Sequence, residues 1–104
     1  MFKIVAKPTF EGTAKIPVPG EKDADLKLIF KHKTRDEARD YFDRVGKSEA
    51  SDGEILSEII AGWKDVDAEF SVEALNKVTQ NYHQAVPAIF HCYTAELNKA
   101  RAKN

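Results

Sequence analysis

Asp65, Asp67 and Glu69 alternate along the sequence as the first ligands of a calcium-binding loop do. Such a loop also needs a glycine at its sixth position, where the backbone turns sharply, and a bidentate glutamate at its twelfth, and this chain has Phe70 and Asn76 there. The three carboxylates therefore read as a solvated link ahead of a helix, whose positive N-terminal pole they favour. His91 and Cys92 are sequence neighbours, so on a helix their side chains point about 100° apart and do not make a base-and-nucleophile pair. Cys92 is the only cysteine. It reads as a small buried thiol with no intrachain disulfide, as expected in a reducing compartment. His32 falls on a candidate strand, far from His83 and His91, and no second cysteine completes a zinc set. The glycines at 12, 20, 46, 53 and 62 form no phosphate-cradling motif. The best basic patch, F-K-H-K-T-R at Phe30 to Arg35, alternates across a strand and runs straight into an acidic helix. It reads as a solvated strand face rather than a nucleic-acid surface. No nucleophile, base and orienting group stand together. The sequence thus predicts a protein that is not an enzyme and carries no metal or cofactor.

Length and composition narrow the class. A chain of 104 residues is expected to make a single domain, residues 1–104, burying roughly 60–68% of the surface its unfolded form exposes. Hydrophobic residues make up 42% and charged residues 32%, the balance of a globular chain rather than a disordered one. No apolar run approaches the ~18 residues of a membrane span, and MFKIVAKPTF holds no apolar stretch long enough for a secretory signal. The cytoplasm is the expected compartment, with no membrane partner. Sixteen Lys and Arg against seventeen Asp and Glu leave a net charge of −1, so no global field draws the chain to nucleic acid. The charge is unevenly placed, with a net +3 over residues 1–34, −6 over 35–80 and +2 over 81–104. An acidic middle between basic ends favours head-to-tail association of copies, although solvated helix faces give the same pattern.

The positioning elements follow from periodicity. Phe2, Ile4 and Ala6 alternate with Lys3, Val5 and Lys7, which predicts a strand stopped by Pro8. Ala14, Ile16 and Val18 alternate likewise, and Pro17 demotes that strand to an edge. Pro19-Gly20 opens a polar loop. Leu26, Leu28, Phe30 and His32 make the clearest strand. Thr34 with Glu37, and Ser51 with Glu54, are capping boxes that start two helices. Ala38, Tyr41, Phe42 and Val45 share one face of the first, which Gly46 ends. Ile55, Leu56, Ile59, Ile60 and Trp63 form the stripe of the second, predicted to run to Gly62 or just past it. Ser71 caps a third helix that buries Val72, Leu75 and Val78. A fourth lies within residues 83–101, with Pro87 in its first turn and a stripe of Val86, Ile89, Phe90, Tyr93, Leu97 and Ala100, and its basic end holds Lys99, Arg101 and Lys103. The predicted fold class is α+β. A small antiparallel sheet of two or three strands in residues 1–33 packs against about four helices in residues 34–104. Trp63, seven residues before Phe70, is the expected core anchor, buried between the second and third helices.

Four segments in order carry a resemblance. They are K-P-T-F with I-P-V-P-G, F-K-H-K-T-R-D-E-A, G-W-K-D-V-D-A-E-F-S at Gly62 to Ser71, and A-E-L-N-K-A-R-A-K-N. In this order and spacing the chain resembles the tail assembly chaperones of long-tailed, siphovirus-type bacteriophages and prophages. The resemblance implies a non-catalytic factor of the bacterial host's cytoplasm that binds the tape measure protein, keeps it soluble during tail assembly and is absent from the mature virion. It also implies a longer product, made by programmed ribosomal frameshifting, whose extension recruits the tail tube protein; this chain would be the short form. No functional residue is carried over by the resemblance. The alternative reading is a small cytoplasmic DNA-binding or antitoxin-type regulator, which a cluster of basic residues on one helix would favour.

A chaperone of this kind needs apolar surface rather than a catalytic pocket. The last helix would be about 25 Å long at 1.5 Å per residue, near the diameter of the domain. Tyr93 and Leu97, toward its far end, are therefore expected to be more exposed than Ile89 and Phe90. They are the candidate partner-binding residues, for self-association and for the tape measure protein.

Overall fold

Among residues 1–99, which the computed structural model describes, two strands of alternating apolar residues form ahead of any helix. β1 (Thr9–Ile16) and β2 (Ala24–Lys31) pair antiparallel, with Phe10 opposite Phe30, Gly12 opposite Leu28 and Ala14 opposite Leu26. Those residues share one face, so a period of two in each strand becomes a single apolar layer. The turn between them uses Gly20 at φ +79°, a left-handed conformation that glycine adopts without strain, and the Glu21 amide donates to the Val18 carbonyl at 3.0 Å. β1 is the sheet's edge strand and ends immediately before Pro17, as the missing amide hydrogen requires.

Residues 1–8 correct the expectation of a strand over Phe2–Lys7. They form no regular structure, and Phe2, Ile4 and Val5 are 90%, 94% and 84% exposed. A strand exists only where another can pair with it. β2 ends at Lys31, which is already matched by Thr9, so the alternation in residues 2–7 has no ladder to join.

α1 (Arg35–Val45) and α2 (Asp52–Ser57) each start on the predicted capping box, with both reciprocal hydrogen bonds formed at Thr34/Glu37 and Ser51/Glu54. α3 (Val72–Asn81) starts on the Ser71 hydroxyl, which accepts from the Ala74 amide at 3.0 Å. α4 (Ala85–Asn98) carries Pro87 in its first turn, where no amide is needed. Ala100, Arg101 and Lys103, expected at its basic end, lie outside the described residues.

The second correction concerns residues 59–63. α2 stops at Ser57, and Ile60–Lys64 is a strand, β3, antiparallel to β2 and completing a sheet of order β1-β2-β3. In β3, Ile60 faces Phe30 and Trp63 faces Leu28, while Ala61 has no opposite residue. This bulge lets residues three apart point to the same side of a strand. Ile60 and Trp63 thereby imitate the spacing of a helical stripe. Trp63 sits on the sheet, half-buried, and not between the second and third helices. Its ring meets Phe70 edge-on at 5.3 Å, and its Nε1 donates to the Ala68 carbonyl at 2.9 Å. Trp63 and Phe70 thus hold the acidic link 65–69 against the sheet.

The resulting α+β fold is a three-stranded antiparallel sheet covered by four helices. The core joins Ala14, Ile16, Leu26, Leu28 and Phe30 of the hairpin to Tyr41, Ile55, Leu56, Leu75, Ile89 and Tyr93 of the helices, with Ile59 and Ile60 between α2 and β3. No buried charged or polar residue interrupts it among the described residues. α4 crosses β1 closely: a Cβ on Gly12 would lie 3.0 Å from the Phe30 ring and 3.1 Å from Cys92 Sγ.

Candidate partner-binding site

Two grooves flank the sheet, one at each end of β2. At the Lys31 end, the start of α1 and the last turns of α4 diverge around a cavity of about 470 Å³. Ala38, Phe42 and Leu97 give it an apolar floor, and His32, Lys33, Arg35 and Arg39 form a basic rim. The capping box at Thr34 fixes this lip of the groove. Hydrogen bonds from the Thr34 amide and hydroxyl hold the Glu37 carboxyl below its ordinary pKa, and the fixed carboxylate in turn anchors the first turn of α1. The Arg39 guanidinium reaches Asp36 only at 3.5 Å, with both side chains mostly exposed, so it remains available to a partner.

At the Ala24 end, a second groove of about 340 Å³ is lined by Ile16, Leu26, Val66, Val78 and Tyr82. Asp25, Asp65 and Asp67 stand on its rim. Asp25 pairs with Lys15, and Asp65 pairs with Lys27 at 2.8 Å. The Lys27 hydrogen bond and charge lower the Asp65 pKa, and Asp65 raises that of Lys27 by the same two causes. Asp67 has no ion-pair partner among the described residues.

The two residues proposed for partner contact on sequence grounds are separated by the structure. Leu97 is half-buried and lines the basic-rimmed groove, whereas Tyr93 is fully buried, which corrects its expected exposure. The reason is the direction of α4. It runs along β1 rather than beyond it, so Tyr93 comes to rest on Phe10 and Phe30, with ring centroids 5.8 and 5.1 Å away. Its hydroxyl donates to the Lys31 carbonyl at 2.8 Å. Burial pushes the phenol up to about 12, with a smaller contribution from the Glu37 carboxylate, so it keeps the proton it donates. Tyr93 therefore supports the groove from beneath by fixing the end of β2. Sequence reading placed Ala38 and Phe42 on one helical face but could not show that Leu97 would meet them.

The residues first weighed for chemistry stay apart. His91 is exposed while Cys92 is half-buried, and burial, then the Glu96 carboxylate, raises the thiol pKa. Cys92 is accordingly expected to react with a maleimide or disulfide reagent at pH 8 roughly tenfold or more slowly than a free cysteine, with full rate restored in denaturant. Native-state labelling at the free-thiol rate would contradict its placement against β1. Among the described residues no three His, Cys, Asp or Glu side chains assemble as a metal-ligating group, and no helix is long and apolar enough to cross a membrane. α1 sets Arg35, Arg39 and Arg44 against Asp36, Glu37, Asp40 and Asp43, and Arg44 is engaged with Asp40 and Glu58 at 3.1 and 3.2 Å. A helix so compensated is poorly suited to lie along phosphates.

The arrangement offers apolar grooves with charged rims and no reactive centre, which is the equipment of a binding protein. No curated protein and no solved structure matches the chain. A family model described as phage tail assembly chaperone matches residues 1–104, the whole length, and the chain belongs to that family.

Proposed function

We propose that this protein is a non-catalytic chaperone of phage tail assembly that binds the tape measure protein in the host cytoplasm and keeps it soluble until the tail is built, without remaining in the virion. The observation that carries this reading is the basic-rimmed groove on a chain whose whole length matches the family. A long helical client presents apolar side chains at i, i+3 and i+4, and a groove floored by Phe42 and Leu97 accepts such a stripe while Lys33, Arg35 and Arg39 meet acidic residues beside it. Leu97 contacts the client directly, and Tyr93 acts from below by holding the groove's shape. Copies of the chain associate, so that several grooves act on one client. A longer frameshifted product sharing this domain joins the same assembly.

Co-expression with the tape measure protein tests the reading. The chaperone is expected to shift the client from the insoluble to the soluble fraction and to co-purify with it. Leu97→Ser combined with Arg39→Glu should abolish co-purification while leaving the chaperone folded, because both positions lie on the surface of the groove. Failure of the wild type to solubilise the client would refute the chaperone reading; binding that survives the double substitution would refute only the groove. Mass spectrometry of the complex recovered from phage-producing cells should also find peptides of the longer product, and recovery of the 104-residue chain alone would refute that part.

A further inference from the structure

The exposed large apolar side chains of the described residues fall in two places only. Met1, Phe2, Ile4 and Val5 stand on the N-terminal segment, and Tyr82 stands at the lip of the acid-rimmed groove at the Ala24 end of the sheet. Apolar groups left in water at two separate sites on a small protein point to partners for both.

The two sites complement each other in shape and in charge. The segment M-F-K-I-V-A-K carries Lys3 and Lys7 between its apolar residues. The groove offers Leu26, Val66 and Val78 beneath Tyr82, with carboxylates and no cation among the residues that line it. Asp25 and Asp65 are shared with Lys15 and Lys27, which leaves Asp67 as the carboxylate free to meet an incoming lysine. A volume of about 340 Å³ is at the lower end of pockets that take a small ligand, so it accommodates one or two side chains such as Phe2 and Ile4 rather than a whole helix.

Geometry prevents the segment from filling the groove of its own chain. It is rooted at Pro8, whose carbonyl accepts from the His32 amide at 2.8 Å, beside the start of β1. The groove lies past the other end of β1, eight residues away, a span of about 23 Å at the rise of a strand. Seven residues fully extended reach about 23–25 Å. Folded back along β1, the segment would bring no more than its first residue to the rim, with nothing left to enter.

We propose that Met1–Lys7 of one copy docks into the Tyr82-lipped groove of the next copy, joining chains head to tail. Phe2 and Ile4 enter the apolar floor, and Lys3 and Lys7 meet Asp67 and its neighbours. Because donor and acceptor are different surfaces at opposite ends of β2, each copy retains one free arm or one free groove, and the contact propagates until a ring closes or a filament grows. This deepens the self-association part of the reading above and leaves the basic-rimmed groove available to a client.

Sedimentation velocity of the full chain, without any client, tests it. The wild type is expected to form oligomers that weaken as salt rises, since the rim pairs lie in water. Phe2→Ser with Ile4→Ser should weaken association about a hundredfold or more, the loss expected from two buried apolar side chains, with circular dichroism and thermal melting unchanged because the segment contacts nothing in its own protomer. Lys3→Glu with Lys7→Glu in one preparation, and Asp67→Lys in another, should each associate poorly, and an equimolar mixture of the two should recover oligomers, since every arm then meets a groove of opposite charge. A wild type that stays monomeric, association unaffected by the Ser pair, or a mixture that fails to recover would each overturn the proposal. The client assay is separate: loss of client solubilisation with self-association intact would condemn the chaperone reading and leave this contact standing.

Discussion

Tyr93→Ala is expected to lower the unfolding free energy by about 3–5 kcal/mol, the range for emptying a large aromatic site in a core. The ring is fully buried between Phe10, Phe30 and Phe42, and the backbone it holds is the end of the central strand. Against the ~5–15 kcal/mol that stabilises a domain of this size, that loss would leave much of the protein unfolded at growth temperature. Tyr93→Phe isolates the hydroxyl. It keeps the ring and leaves the Lys31 carbonyl without its donor, at a cost of about 1–3 kcal/mol. Urea denaturation followed by circular dichroism reads both. An alanine variant with the wild-type midpoint would mean that the ring does not close the core. The same hydroxyl sets an alkaline limit. Its pKa is raised to about 12, and burial raises that of Tyr41 as well, so the folded state binds these protons more tightly than the unfolded chain, whose tyrosines titrate near pH ~10. The stabilisation is therefore fully present below about pH 10 and is lost as pH rises toward 12. Tyr93→Phe should flatten that decline.

Gly53→Ala is expected to cost about 2–4 kcal/mol, from overpacking together with a lost hydrogen bond. Glycine is needed here for proximity, since α2 and α3 meet backbone to backbone. An added Cβ would lie 2.3 Å from the Val72 carbonyl oxygen and 2.8 Å from Asn76 Oδ1, the same oxygen that accepts from the Gly53 amide at 2.7 Å. The helices would have to separate. Gly46→Ala is the control, because nothing lies within 4 Å of its Cβ position, and it should stay within about 0.5 kcal/mol of the wild type. Equal melting of the two variants would refute the close approach of α2 and α3.

Local chemistry was legible in the sequence, and long-range pairing was legible only in part. The caps at Thr34, Ser51 and Ser71 announce their helices because the hydrogen bonds they make reach only three residues ahead. The alternation over Leu26–Phe30 announces the central strand because both of its faces are decided within it. The alternation over Phe2–Lys7 is just as regular and yields no strand, because regularity does not supply a neighbour to bond with. Ile60 and Trp63 misled through the bulge at Ala61, which gives a strand the spacing of a helix turn. Tyr93 misled because the length of α4 shows how far it reaches and leaves open what it lies upon. Both grooves join residues from distant parts of the chain, Ala38 with Leu97 and Leu26 with Val78, so no spacing in the sequence could display them.

The aromatic contact between the hairpin and the last helix also sets an order of events at the ribosome. Phe10 and Phe30 lie together on a two-stranded ribbon that is made within the first third of synthesis, yet the ring that covers them, Tyr93, arrives 62 residues after Lys31. At 5–20 residues per second the gap lasts roughly 3–12 s, during which a marginal hairpin with a bare apolar face must remain unaggregated. A member of a family that attends to other chains during assembly is thus itself vulnerable while nascent, and its final helix is the part that ends the exposure.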